Sequence, residues 1–293
     1  MVSMKIRDIL KKATPSVSFE VFPPKKDAAF EPVKTAVARL CKAKPSFMSV
    51  TYGAGGGANM NTFQIASFIK DECATTPLAH LTCVMATREK IAEEASRLKA
   101  AGIENVLALR GDMPVDSTIP PPGHYRHAVD LIRFLKEAGD FCIGGACYPE
   151  CHPECAHISD DNRYLKEKVD AGLDFVTTQM FFDNDIYFRY IGKLREAGVN
   201  IPVIPGIMPV TNKKQIDRIC RLSGTYLPMR FKAIADRFGD NPAQMLDAGV
   251  AYATEQIIGL FADGVKAVHL YTMNQPVVAE RIMANLGAIV ESR

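Results

Sequence analysis

Glu20 stands inside the apolar run Ser18-Phe19-Glu20-Val21-Phe22, and Pro23-Pro24 end that run at once. A carboxyl group is costly to bury without a partner. Desolvation would raise its pKa, and a carboxylic acid still protonated near neutrality at the mouth of a pocket is a proton donor. The competing reading is a solvent-facing residue on an alternating strand. Polar clusters at the ends of further apolar runs weigh against it. Val50-Thr51-Tyr52-Gly53-Ala54-Gly55-Gly56-Gly57 is one, and His80-Leu81-Thr82-Cys83 is another. Then come Arg110-Gly111-Asp112, Tyr148-Pro149-Glu150-Cys151-His152-Pro153, Thr178-Gln179 and Pro205-Gly206-Ile207-Met208-Pro209. Arg110 can donate to an anion, and Gly111 lets a backbone approach a ring or a phosphate. Gln179, an amide within an apolar strand, needs partners and can read a heterocycle with one donor and one acceptor. Phe181 and Phe182 beside it read as core.

Two motifs admit other chemistry. Gly53-Ala54-Gly55-Gly56-Gly57-Ala58 satisfies the dinucleotide fingerprint G-x-G-x-x-A after a strand. The acidic residues at the right distance, Asp71 and Glu72, close a helix instead of ending the next strand, so a low-bulk loop beside a planar ligand is the better reading. Cys147, Cys151 and Cys155, interleaved with His152 and His157, lack a C-x-x-C pair, and Pro149 and Pro153 break any helix that would align the thiols. Thiols lining a loop are preferred to a metal site, and no metal is expected.

These clusters need elements to position them. Eight β-branched or apolar runs read as strands: Val17–Phe22, Phe47–Tyr52, His80–Val84, Val106–Arg110, Ile143–Tyr148, Phe175–Phe182, Val203–Met208 and Val268–Thr272. Helix-period segments alternate with them. Thr87 is expected to cap a helix that Gly102 ends, Asp183 one that reaches Ala197, and Thr211 one carrying Ile216 and Ile219. From about Tyr226 to Gly264 the chain reads as wholly helical, and Met1–Pro15 as a short helix closing the N-terminal end of a barrel. Eight strand and helix units in 293 residues fit an α/β fold, a (β/α)8 TIM barrel with an N-terminal helix and extra helices between strands seven and eight. Residues 1–293 are expected to form one catalytic domain. In such a barrel chemistry collects where strands run out into the following loops, which is where the clusters fall.

Composition sets the outer bounds. The chain is 47% hydrophobic and carries a net charge of +2, which gives no electrostatic case for nucleic acid or an anionic membrane. No apolar run is long enough to span a bilayer, and the N-terminus lacks a secretory signal. The 8 cysteines read as cytosolic thiols, and a cytoplasmic location is expected.

The ordered set of motifs, extended by Lys166-Glu167-Lys168-Val169-Asp170-Ala171-Gly172, resembles methylenetetrahydrofolate reductase from about Ser16 to Asn274. That resemblance implies a (β/α)8 flavoprotein binding FAD non-covalently, with NADH or NADPH as electron donor, which reduces 5,10-methylenetetrahydrofolate to 5-methyltetrahydrofolate in one-carbon metabolism and methionine biosynthesis. It implies Glu20 as general acid and Asp112 as the carboxylate near the flavin pyrimidine edge. Flavin contacts carry over to Tyr52, Ala54, His80, Arg110, Gly111, Asp112, Ala128, Ala146, Tyr148, His152, Asp161 and Lys168. Gln179 matches a contact to the pterin, Gln215 one to folate, and Thr51 one to the nicotinamide donor. Gln275 stands where the family usually has arginine, and Ile219 where some relatives have an aromatic, which leaves the donor open between a pyridine nucleotide and an electron-transfer partner protein. The resemblance also implies a homo-oligomer, and no C-terminal regulatory domain is expected after Arg293. Two other readings stay open: a flavin-bearing subunit of a larger electron-transfer complex acting on the same folate, and a proline-dehydrogenase-like flavin oxidoreductase.

Overall fold

Strand-forming runs with both faces buried can satisfy their backbones only in a continuous parallel sheet covered by helices. The computed structural model, which describes residues 4–24, 30–52, 58–84, 86–113 and 123–290, has that architecture. In chain order the strands are β1 (Ser16–Val21), β2 (Met48–Val50), β3 (Pro77–Thr82), β4 (Asn105–Leu109), β5 (Cys142–Cys147), β6 (Phe175–Thr178), β7 (Val203–Ile204), β8 (Gly206–Ile207) and β9 (Ala267–Tyr271). All pairings between these strands are parallel, in the order β7-β6-β5-β4-β3-β2-β1-β9-β8. β7 and β8 are one strand interrupted at Pro205, which lacks the N–H a ladder requires. β7 bonds to β6 and β8 to β9, so the nine segments close as an eight-stranded barrel of the expected (β/α)8 class.

Gly206 sits at that closure for lack of room: a Cβ there would overlap the Thr178 carbonyl oxygen and the Tyr271 hydroxyl. Eleven helices are described, and those following the strands pack outside the barrel over a core that includes Phe19, Met48, Val50, Leu81 and Val106. The N-terminal helix, α1 (Ile6–Ile9), plugs the barrel where the strands begin. Its Ile6 and Ile9 pack with Phe47, Leu78, Leu107 and Phe175. Buried Asn105 ties the plug down, its Oδ1 accepting from the Ile6 amide at 2.8 Å while its Nδ2 donates to the Met4 and Pro77 carbonyls, each at 3.2 Å.

Several helix boundaries follow the expected capping chemistry. Thr87 accepts from the Lys90 amide to open α4 (Arg88–Ala100), and Asp183 accepts from Asp185 to open α7 (Asn184–Glu196). Two expectations are corrected. Asn212, not Thr211, caps α8 (Lys213–Ser223), its Oδ1 accepting from the Lys214 amide at 3.0 Å. The helical segment before the last strand is not continuous. It comprises α9 (Met229–Phe238) and α10 (Pro242–Ala262), because Asn241 caps a new helix whose first residue is proline. These helices enclose a second core of Met180, Phe182, Val210, Phe231 and Met245. Among the described residues no helix is long and apolar enough to cross a membrane.

Candidate active site

Parallel strands deliver their last residues to one end of the barrel, and a cavity of about 230 Å³ opens there. Glu20 from β1, His80 from β3, Ala146 from β5, Thr177 and Thr178 from β6 and Tyr271 from β9 line it, with Tyr148, Gln179 and Met208 from the following loops. Apolar floor residues Leu107 and Leu109 come from β4.

The Glu20 side chain is only 13% exposed. Desolvation lifts its pKa to about 8, so it is mostly protonated at neutral pH. His80 Nε2 lies 3.7 Å from Glu20 Oε2, too far for a hydrogen bond, and is buried without a hydrogen-bond partner among the described residues. Burial pulls the pKa of His80 down to about 3, so at neutral pH the two groups meet as neutral acid and neutral imidazole, not as an ion pair.

Beneath them lies a polar layer that motif reading missed. His269, on β9, is held between two serines: Nδ1 meets Ser18 Oγ at 2.7 Å and Nε2 meets Ser49 Oγ at 3.0 Å, while its ring stacks on Phe47. Ser18 Oγ also lies 3.0 Å from the Val268 carbonyl. With the single Ser18 proton given to that carbonyl, Nδ1 must carry the imidazole hydrogen and Nε2 must accept from Ser49. Burial holds this histidine neutral too, with its pKa down to about 3. Tyr271, also unforeseen, donates its hydroxyl to the Thr178 carbonyl at 2.5 Å, fixing a ring edge over the cavity. A lone histidine inside the apolar run Val268–Thr272 was the same kind of signal as Glu20 and could have located this layer.

The other expected residues fall into three groups. Ala146 and Tyr148 join Glu20, His80 and Gln179 at the cavity, Gln179 turning its Oε1 back to accept from the Met180 amide at 2.9 Å. A second group surrounds the cavity on the side of β4, β5 and the helix that follows β5. His152 sets its ring edge-on against Tyr148, with centroids 4.5 Å apart, and its amide donates to Asp161 at 3.0 Å. Asp161 and Lys168 both belong to α6 (Ile158–Asp170). Lys168 donates to the Ala146 carbonyl at 2.8 Å. Burial lowers the pKa of Lys168 and raises that of Asp161. Arg110 already holds an anion, because its two terminal nitrogens grip the Glu154 carboxylate at 2.6 and 2.7 Å. Its Nε donates to the carbonyl of Gly111, whose φ of +87° is a left-handed conformation that suits glycine. Asp112 is exposed, within electrostatic reach of Arg110 and Tyr148. Ala128 is the first residue of α5 (Ala128–Ala138), at the positive end of that helix.

The third group lies off the cavity. Tyr52 donates to the buried carboxylate of Glu94 at 3.0 Å, in a small void behind His80. Thr51 is half-buried, its carbonyl accepting from Thr62. Gln215, on α8, and Gln275, which precedes α11 (Pro276–Leu286), are exposed and do not line the cavity. Ile219 packs against the second core. Ala54 lies outside the described residues.

Chemically, this end of the barrel pairs a protonated carboxyl with an unsatisfied imidazole nitrogen over an apolar floor, beside an aromatic ring and an amide. A planar, amide-bearing heterocycle such as a flavin fits that set. It can cover Leu107 and Leu109, and His80 Nε2 offers an acceptor or donor that no group among the described residues uses.

Comparison with known proteins adds lineage. The family model for methylenetetrahydrofolate reductase matches residues 5–287. The Escherichia coli (strain K12) protein named 5,10-methylenetetrahydrofolate reductase is 36% identical over 272 residues, spanning 93% of this chain and 90% of that protein. The Arabidopsis thaliana protein named methylenetetrahydrofolate reductase (NADH) 1 is 36% identical over 302 residues, 99% of this chain but 51% of the relative. The chain thus spans about half the length of the plant relatives it matches. Among solved structures, a Clostridium thermocellum protein described as binding two copies of 5-methyl-5,6,7,8-tetrahydrofolic acid superposes with a TM-score of 0.63 at 12% identity, covering 96% of this chain and 97% of its own, a likeness of fold alone.

Proposed function

The chain belongs to the methylenetetrahydrofolate reductase family, and from that premise we propose that it catalyses the FAD-dependent reduction of 5,10-methylenetetrahydrofolate to 5-methyltetrahydrofolate, with Glu20 as general acid. The observation that carries this reading is the Glu20 carboxyl, protonated near neutrality and facing a cavity at the C-terminal end of the barrel. Bound reduced flavin would supply the hydride. The protein's own part is to give up a proton and to orient two rings. Glu20 would protonate a ring nitrogen of the folate, opening the five-membered ring and leaving a cationic methylene carbon as hydride acceptor. Its raised pKa matches the proton-transfer task to neutral pH. Gln179 would meet the pterin through its amide.

His80, Ala146 and Tyr148 would hold the flavin ring, and His152, Asp161 and Lys168 the rest of the cofactor. Arg110 would contribute through a guanidinium already held flat by Glu154. Asp112, exposed at the β4 exit, would bring negative charge to the flavin's edge. Thr51, Gln215 and Gln275 would act at the outer margin, toward the donor and the folate tail. The donor we favour is a pyridine nucleotide, and the plant relatives carry NADH in their names.

The test is Glu20→Gln under anaerobic conditions. The variant is expected to bind FAD as the parent does and to accept electrons from NADH or NADPH, while reoxidation by methylenetetrahydrofolate falls by at least about a hundredfold, as for loss of a general acid. In the parent, that step is expected to slow as pH rises through about 8. Undiminished folate reduction in the variant would remove Glu20 from the acid role.

A further inference from the structure

Two thiols stand in the loop that joins β5 to α6, and nothing in the reduction assigned above uses them. Cys151 and Cys155 are both free and half-buried. Cys151 adopts a φ of +76°, a left-handed conformation uncommon for a residue with a Cβ. Two turns fold the segment back on itself, with the Cys151 amide donating to the Tyr148 carbonyl at 3.1 Å and the Cys155 amide to the His152 carbonyl at 2.8 Å. The fold-back sets the Cys151 thiol against Cys155. It donates to the Cys155 carbonyl at 3.6 Å and lies within interaction range of the Cys155 thiol. The Cys155 thiol donates in turn to the His157 carbonyl at 3.3 Å. Among the described residues no group of three or more His, Cys, Asp or Glu is placed to hold a metal ion, so the chemistry left to this pair is that of a dithiol.

The residues between the two thiols give the pair its significance. The His152 amide is bonded to Asp161, and its Nδ1 accepts from the Glu154 amide at 3.1 Å. Glu154 holds the Arg110 guanidinium in a two-pronged grip, which links this loop to the end of β4. The thiols therefore bracket the contacts that shape one wall of the site.

We propose that Cys151 and Cys155 form a reversible intraloop disulfide by exchange with a low-molecular-weight disulfide, and that its formation withdraws His152 and Glu154 from Asp161 and Arg110. One cysteine thiolate attacks the small disulfide, forming a mixed disulfide and expelling one small thiol. The second cysteine then attacks the protein sulfur of that bond and expels the other small thiol. The protein dithiol is oxidised by two electrons, the small disulfide is reduced, and the two protein S–H protons end on the two released thiols. The second step closes a very short loop, so it outruns capture by another molecule. Bond formation costs both thiols their carbonyl acceptors and pulls the ends of a tight turn together, and the contacts between them must shift. The consequence for cofactor affinity rests on the flavin reading above; the disulfide itself does not.

The full chain, reduced and desalted, is incubated with glutathione disulfide. The expected result is one Cys151–Cys155 bond by peptide mapping, with the intact mass lower by two hydrogens and restored by dithiothreitol. Amide exchange at His152 and Glu154 should accelerate by roughly tenfold as their local bonds open. FAD should bind roughly tenfold more weakly to the oxidised form. The C151S/C155S double variant, which adds no β-branch at the left-handed position, should show none of these changes on the same treatment. Cys41 and Cys73 form another neighbouring pair of thiols, side chain to side chain; a bond found only there, no intraloop bond at full oxidation, or an intraloop bond with unchanged amide exchange would each overturn the proposal. Failure of the reduced protein to bind FAD would sink the flavin reading instead, and mapping and exchange would still decide on the disulfide.

Discussion

Replacing Glu20 by glutamine should stabilise the protein, increasingly so as pH rises. The physical reason is linkage. Folding raises the Glu20 pKa from 4.5 to about 8, so between those values the unfolded chain releases a proton that the folded chain retains. Below 4.5 both states are protonated and the group is neutral to stability; above about 8 both are ionised and the full cost of the buried charge is felt. A shift of roughly 3.5 units at about 1.36 kcal/mol each sets an upper bound of about 5 kcal/mol. Between pH 5 and pH 8 the expected change is about 3–4 kcal/mol, and still about 2 kcal/mol if local relaxation and water entry halve it. Glutamine has nearly the same shape and does not titrate. The assay is urea unfolding of parent and Glu20→Gln at pH 5, 6, 7 and 8. The difference between the two proteins cancels every other titrating group, and it should grow with pH while the denaturant slopes stay matched. A difference that is flat from pH 5 to pH 8 would mean that Glu20 titrates normally in the folded protein. The general-acid role would then lose its physical basis, whatever the variant's activity.

The buried histidines push the other way. His80 and His269 have pKa values lowered from 6.5 to about 3, so the unfolded chain gains protons below 6.5 that the folded chain refuses, and stability falls as pH drops through that window. Two histidines outweigh the opposing gain from Glu20, so these three groups place the stability maximum near pH 6.5, measurable as the peak of urea midpoint against pH. Asn105→Ala should cost about 2–3 kcal/mol by freeing the Ile6 amide and two carbonyls inside the barrel plug, read by chemical denaturation; a loss within 0.5 kcal/mol, roughly the noise for surface sites, would refute that role. Gly206→Ala should destabilise by at least about 2 kcal/mol because its Cβ meets a backbone oxygen and a pinned tyrosine, and unchanged thermal unfolding would show that the barrel closure can yield.

Strand identity was legible because burial on both faces turns each barrel strand into a mostly apolar run, and each of the eight runs contributed a strand to the closed sheet. The helix ends that were misplaced turn on choices between adjacent residues. Thr211 and Asn212 are both good caps, and only the direction of the chain after Val210 decides between them. The break before α10 was written in Gly239-Asp240-Asn241-Pro242, but a long apolar periodicity hid it. The site divides along a different line. Glu20 could be found because a charged residue inside a strand breaks a local pattern. The same test, applied to polar neutral residues, would have found Ser18, Ser49 and His269, which together form the polar layer beneath Glu20 and His80. What no local pattern could show is which partner each polar group takes. Arg110 and Glu154 are 44 residues apart, and only the fold makes one the counter-ion of the other. That pairing changes the chemistry assigned to the arginine. A guanidinium that looks free in the sequence to bind a phosphate is instead a clamp between two loops, and any anion that approaches it must share the fork with a carboxylate or displace it.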